Sequence, residues 1–315
     1  MSKSHSQKPD PHSLQDLRLP PIPRVLPKVL DHLHTAEFAD KEDILAAMEC
    51  GSNLEERTLS HINAQLPTPV GDVEQAIEMV GATTAAGIVI KLSMNKLNVL
   101  RRGAAGTCVR QLIQHSEATA ILARHLLHER RPESAPQADD SEDVDLTQTA
   151  FAKGFVHDLG KLVLIYNDPK KGAALYGDDW IERGPEGVNE RAVERRAFGY
   201  DHVEAGAYAA DEIGLPPGLA KAVTDHHNAE ATDTSDAWDL RAVRAANVAT
   251  KAMGASFSGL YAQDVSLDWD TCARHPAWFH WKTTSVADPQ ILADEDLILY
   301  SEFFLDSSSS EQLLS

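Results

Sequence analysis

The sequence predicts an all-α fold. Apolar residues recur at three-to-four spacing along most of the chain, these segments are bounded by capping and breaking residues, and no convincing run of alternating, strand-like residues is found. Residues 1–16 are polar, rich in Ser, His, Lys, Gln and Pro, and are expected to be disordered. Leu19-Pro20-Pro21-Ile22-Pro23 is a stiff, extended lead-in to a helix, because each proline fixes φ. Helical spacing follows in Ile44, Ala47 and Met48, and more loosely in Leu54, Leu59 and Ile62. Pro67 and Pro69 interrupt it, and Ala76, Ile77 and Val80 resume it before Gly81, which has the character of a helix C-cap.

A long helix is expected from about Gly106 to Glu129, with Leu112, His115, Thr119, Leu122 and Leu126 on one face. The Pro-, Ser- and acid-rich stretch Arg130 to Asp145 reads as an exposed loop. A second helix is expected over about Leu146 to Tyr166, carrying the adjacent pair His157-Asp158, with an irregular stretch from Asp168 to Gly187. Asp201-His202-Val203-Glu204 has capping-box spacing and puts His202 in a first helical turn. Gly214-Leu215-Pro216-Pro217 ends that helix and starts the next, where Leu219, Ala222, Val223 and His226 share a face. A further helix near Trp238 to Met253 puts Leu240, Val243 and Asn247 on one side. Trp269, Trp278, Phe279, Trp281, Phe303 and Phe304 suggest that residues 254–315 pack against something, and Ser307 to Ser310 read as a frayed tail. No internal repeat is found.

At 315 residues the chain can bury one large core or two modest ones. Its formal net charge of −19 argues against sequence-independent nucleic-acid binding, which needs a basic face to displace counterions, and against docking on an anionic membrane. Cys50, Cys108 and Cys272 lie far apart with no CxxC, which suits a reducing compartment. The N-terminus has no apolar signal-peptide core and no apolar run is long enough to span a bilayer, so a cytoplasmic protein is expected.

The chemistry concentrates in Gly154-Phe155-Val156-His157-Asp158-Leu159-Gly160-Lys161. A neutral imidazole and a carboxylate from adjacent positions can bind one metal ion, and a phosphoesterase would use that ion to activate water. His115, His202 and His226-His227 fall on separate expected helices, the way a helical bundle builds a metal site from inward side chains. Of the His-His pair, His226 lies on the expected buried face and His227 toward solvent. The alternatives are a packed core histidine for His115, a residue that simply follows a helix cap for His202, and for His157-Asp158 a structural pair whose carboxylate braces the helix packing. Lys161 has two readings as well, neutralising a bound phosphate or bridging to Asp158.

These residues, in this order, resemble the HD superfamily of metal-dependent phosphohydrolases: His115, His157-Asp158 in His-Asp-x-Gly-Lys, His202 in His-x-x-x-Gly with Gly206, and His226-His227. Where the superfamily closes its site with an Asp, this chain has Asn247. Leu19-Pro20-Pro21-Ile22-Pro23, with Ile62-Asn63-Ala64, Pro69-Val70, Ala76-Ile77 and Val80-Gly81, is similar to the N-terminal half of the HDOD branch, the HD-related output domain of bacterial signalling proteins.

That resemblance implies an N-terminal helical lobe (residues 17–105) packed on an HD-like lobe (106–253), with a C-terminal extension (254–315). It implies a metal set of His115, His157, Asp158, His202, His226 and Asn247 for Mn, Fe or Zn, weakened because an Asn amide lacks the charge of Asp, and Lys161 in a catalytic role if one survives. It also implies a non-catalytic regulatory module acting through a protein partner in signal transduction, with ligand binding in a degenerate site. The alternative is a metal-dependent phosphohydrolase or phosphodiesterase acting on a nucleotide-type substrate. Asn228-Ala229-Glu230 follows His226-His227 in place of the GYP motif of the cyclic-di-GMP phosphodiesterases, which argues against that activity. The aromatic run Trp278-Phe279-His280-Trp281 is read as cover for the core, or else as a partner patch.

Overall fold

A computed structural model describes residues 14–34, 41–49, 51, 53–94, 103–130, 146–177, 190–227 and 238–252, and every regular element among them is helical. A short 3-10 turn at Leu14–Asp16, inside the stretch expected to be disordered, precedes the proline-rich lead-in. The helices α1 (Val25–His34), α2 (Lys41–Met48), α3 (Leu54–Asn63), α4 (Val73–Val80) and α5 (Ala82–Met94) form a first group. The second group is α6 (Gly103–Arg130), α7 (Leu146–Val156), α8 (Leu159–Asn167), α9 (Pro169–Tyr176), α10 (Glu190–Phe198), α11 (His202–Glu212), α12 (Pro217–Asp225) and α13 (Trp238–Ala252).

In the first group, the spaced apolar residues become one core. Leu30, Leu33, Ile44, Met48, Leu54, Ile62, Ile77 and Ile88 are all fully buried, each side chain contributing about 1.5–3 kcal/mol by leaving water. The turn through Pro67 and Pro69 is held by Asn63, whose side-chain amide donates to the Val70 carbonyl at 3.0 Å and accepts from its N–H at 2.9 Å. Asp72 caps α4 by accepting from Gln75 N–H at 2.8 Å. Gly81 ends that helix at φ +81°, a conformation that favours glycine, and the chain turns directly into α5. The lead-in is tied to the second group by Asn167, which accepts from Arg18 N–H at 2.9 Å and donates to the Arg18 carbonyl at 2.8 Å.

Two expectations of the second group need correction. The single helix over Leu146–Tyr166 is instead α7 and α8, broken at the His157-Asp158 pair. His157 N–H closes α7 on the Lys153 carbonyl at 3.1 Å, Asp158 leaves helical geometry at φ −99°, ψ 19°, and Lys161 N–H opens the next helix on the Asp158 carbonyl at 2.9 Å. Apolar periodicity cannot reveal that break, because both helices are buried all round. The stretch read as irregular from Asp168 begins with α9, in which Asp168 accepts from Lys171 N–H at 3.0 Å and Pro169 takes the first helical position.

What redirects the chain at the break is the contact between α8 and α11. A Cβ on Gly160 would overlap the His202 carbonyl oxygen and lie 2.7 Å from Gly206 N, so the two backbones touch there. α7 and α6 meet in the same way, since a Cβ on Gly154 would lie 2.7 Å from Ala120 Cα. α13 completes the bundle against α6 and α7 through an alanine-rich face, Ala242, Ala245, Ala246 and Ala249, all fully buried. A buried cluster pins its start: Asp239 accepts from Lys153 Nζ at 2.5 Å and from Thr149 Oγ1 at 2.7 Å.

The expected loop beyond residue 130, Cys50, Cys272, His280, and the aromatic residues Trp269, Trp278, Phe279, Trp281, Phe303 and Phe304 of the C-terminal segment lie outside the described residues. Among the described residues, no helix is long and apolar enough to cross a membrane.

Because neither partner at the Gly160 crossing is a flexible side chain, Gly160→Ala is expected to lower stability by about 2 kcal/mol or more, read as a urea midpoint shift. Gly71→Ala, where a Cβ meets nothing within 4 Å, is the control and should stay within about 0.5 kcal/mol.

Candidate metal centre

Five helices deliver the polar residues. His115 comes from the middle of α6; its neighbours Leu112, Thr119, Leu122 and Leu126 on the same face are buried with it. His157 and Asp158 occupy the break between α7 and α8, where departure from helical geometry turns both side chains toward one centre. His202 opens α11, held there by the expected capping box: Asp201 accepts from Glu204 N–H, and Glu204 from Asp201 N–H, each at 2.9 Å. Arg191 and Arg195 brace the buried Asp201 carboxylate at 2.7 and 2.8 Å. His226 follows the last turn of α12, whose inner face is Leu219, Ala222 and Val223.

The side chains converge on Asp158. Its Oδ2 lies 3.6 Å from His115 Nε2 and 3.4 Å from His157 Nε2, and its Oδ1 lies 3.6 Å from His202 Nε2 and 3.4 Å from His226 Nε2. All five residues are at most 3% exposed. Asp158 therefore belongs to two overlapping sets, one with His115 and His157, the other with His202, His226 and His227.

The protons are fixed from outside the cluster. His157 Nδ1 is 2.7 Å from the Gly154 carbonyl, and His226 Nδ1 is 3.1 and 3.0 Å from the Ala222 and Val223 carbonyls. A carbonyl only accepts, so both rings carry their proton on Nδ1 and turn an Nε2 lone pair inward. His202 Nδ1 is likewise 2.6 Å from Glu194 Oε2. Burial, reinforced by the neighbouring rings, holds both His115 and His226 down to about 3, so they stay neutral. His202 Nε2 and His226 Nε2 face each other at 3.3 Å. His157 Nε2 and Asp158 Oδ1 are buried and take part in no hydrogen bond. Convergent imidazole lone pairs and a carboxylate oxygen, with their donors spent elsewhere, fit a divalent cation in type and spacing.

Other charges surround the centre. Lys161 donates to Asp158 Oδ2 at 2.9 Å and bridges to Glu190 Oε1 at 2.9 Å, and is itself 1% exposed. Burial alone would raise the Asp158 carboxyl, but the Lys161 ammonium together with the neighbouring His157 and His226 outweighs it and holds Asp158 well below the usual carboxylate range. Burial would likewise lower Lys161; Asp158 and Glu190 outweigh it and hold the ammonium above its ordinary value. Both partners remain ionised. Lys251 reaches Glu190 from α13 at 3.8 Å. Asn247, also on α13, is 4% exposed, and its amide oxygen accepts no hydrogen bond.

Sequence reasoning passed over several neighbours. His227, expected toward solvent, is half-buried and places Nε2 2.9 Å from His202 Nε2. Glu190, Glu194 and Tyr176 lie in the stretch read as irregular or just after it. The one available signal was that Glu194 and Phe198, four apart on a highly charged helix, form its buried stripe.

A family model for the HDOD domain matches residues 19–229. No curated protein matches the sequence. The fold is similar to the crystal structure of an HDOD domain protein of unknown function from Geobacter sulfurreducens, with a TM-score of 0.66 and 16% identity over 92% of this chain and 94% of that one. A proposed metal-dependent phosphohydrolase from Shewanella amazonensis gives a TM-score of 0.55 and 16% identity over 92% and 93% of the two chains. A proposed signal transduction protein from Marinobacter aquaeolei gives 0.55 and 17% over 91% and 63%.

The neutral histidines set an acid limit. Unfolded imidazoles protonate near pH 6.5, whereas His115 and His226 do so near 3, so between these values the unfolded chain binds more protons. Their contribution is complete above about pH 6.5 and is lost as pH falls toward 3. Chemical denaturation in EDTA should show stability falling already from pH 6.5 to 5, before ordinary carboxylates titrate, with a smaller slope in His115→Gln.

Proposed function

The chain belongs to the HDOD domain family, and from that premise we propose that it is a signal-transduction output module whose histidine centre binds a cation without hydrolysing a substrate. The observation that carries this reading is the Lys161 ammonium seated on Asp158 Oδ2 at 2.9 Å inside a fully buried cluster. Lys161, the cation that directly follows the His-Asp pair in the motif, is engaged by Asp158 and Glu190. Asn247 further reduces the anionic charge available to a metal at the closing position. His157, Asp158, His202 and His226 would hold a divalent ion, with His115 as a further candidate ligand on the Oδ2 side of Asp158. In a hydrolase such an ion supplies the charge that activates water and polarises a phosphoryl oxygen. Here its suggested role is to tie α6, α7, α8, α11 and α12 together, so that occupancy is passed to a protein partner as a change in the stability of the helical surface. The name of the Marinobacter protein is in line with a signalling role.

The second reading, a metal-dependent phosphohydrolase, is favoured by the convergent lone pairs, and the name of the Shewanella protein points the same way. One set of measurements separates the two. Wild-type protein is expected to gain thermal stability with added manganese, and Asp158→Asn to gain much less. Neither is expected to release phosphate from nucleotides, or to open cyclic dinucleotides, above background. Turnover at enzyme-like rates that disappears in His157→Ala would establish the hydrolase instead.

A further inference from the structure

Glu194 is fully buried on α10 and makes three hydrogen bonds. Its Oε2 accepts from His202 backbone N–H at 2.9 Å and lies 2.6 Å from His202 Nδ1. Its Oε1 accepts from the Tyr176 hydroxyl at 2.6 Å. Tyr176 is itself buried at 4% exposure, and burial followed by the nearby Glu194 raises its phenol well above the ordinary value, so it stays a donor. The Tyr176–Glu194–His202 line runs inward from α9 through α10 to α11 and ends at the metal-type cluster. In His157 and His226 a backbone carbonyl of the ring's own helix sets the tautomer. His202, in the first turn of α11, has no preceding turn of its own helix to offer one.

We propose that Glu194, oriented by Tyr176, is a positioning residue that fixes His202 as the Nδ1–H tautomer and so aims its Nε2 lone pair at Asp158 and His226. The consequence extends to His227. With His202 Nε2 unprotonated, the 2.9 Å contact between the two Nε2 atoms requires His227 to carry its proton on Nε2 and donate it. His227 thus satisfies the His202 lone pair in the metal-free protein, and an incoming cation must displace that proton-bearing ring. The value of Glu194 to a bound metal rests on the reading above, but its control of the tautomer does not. A carboxylate behind a ligating imidazole also raises its basicity, and loss of such a partner typically weakens metal affinity about 10–100-fold.

The test is the two-bond proton–nitrogen spectrum of histidine-labelled, metal-free full-length protein, with the His202 signals assigned by their loss in His202→Gln. Wild-type protein is expected to show His202 as Nδ1–H. Glu194→Gln, whose amide oxygen can replace Oε2 while its NH2 group faces the Tyr176 oxygen, should keep that tautomer. Glu194→Leu should shift His202 toward Nε2–H. A merely space-filling Glu194 would leave the tautomer unchanged in Glu194→Leu, and that result overturns the proposal, as does a wild-type ring protonated on Nε2. If Glu194→Leu fails to fold, the wild-type and Glu194→Gln spectra decide by themselves. Manganese titration of the same proteins is the second arm, with affinity expected to fall about 10-fold or more in Glu194→Leu. A wild-type protein that binds no manganese but shows the expected tautomers refutes the metal reading and leaves the role of Glu194 standing.

Discussion

The arrangement of the centre depends on two places where helices meet backbone to backbone. Gly160 lets α8 rest on the first turn of α11, against the His202 carbonyl and Gly206 N, and Gly154 lets α7 rest on α6 at Ala120. Each glycine follows or precedes the His-Asp pair by only a few residues. With side chains at these crossings the helices would stand further apart, and the 3.4–3.6 Å separations around Asp158 would open by about as much. The glycines carry no chemistry, yet they set the distances on which the chemistry relies.

Holding so many polar groups in a dry interior is costly, and the fold offsets the cost in two ways. The Asp158, Lys161 and Glu190 charges are paired in series, with Lys251 at the outer end where Glu190 is a third exposed, so the charge run leads from the interior toward solvent. The His115 and His226 imidazoles instead stay neutral, and His157 and His226 each turn Nδ1 to a backbone carbonyl behind the ring. What is left over is a surplus of acceptors pointing at one another. Convergent acceptors of this kind are compatible with a cation site, and Lys161 is engaged by Asp158 and Glu190.

The second buried pair, Lys153 with Asp239, has a separate task. It anchors the start of α13 to α7 through a charge-assisted bond and the Thr149 hydroxyl, while the alanine face of α13 allows close packing on α6 and α7. Asn247 reaches its buried position through this docking. A helix packed mainly through alanines has little shape of its own to select a register, and the buried Lys153–Asp239 pair lies at its start.

The sequence by itself determined the helices with local signals: the all-α pattern, the prolines before α1 and in the α3–α4 turn, the Asp201–Glu204 capping box, and the face of α6 that buries His115. These depend on residues within a turn or two of each other, so spacing is enough to read them. The motif order also singles out His115, His157, Asp158, His202 and His226. Only the tertiary structure decided where the long helix breaks at His157-Asp158, that His227 is half-buried, that Lys161 is shared between Asp158 and Glu190, and that Glu194 stands behind His202. Those outcomes depend on groups brought together from distant parts of the chain by close helix crossings, and on the desolvation that follows. A proton's place on an imidazole ring is set by which acceptor lies behind it, and no spacing along a single helix can specify that.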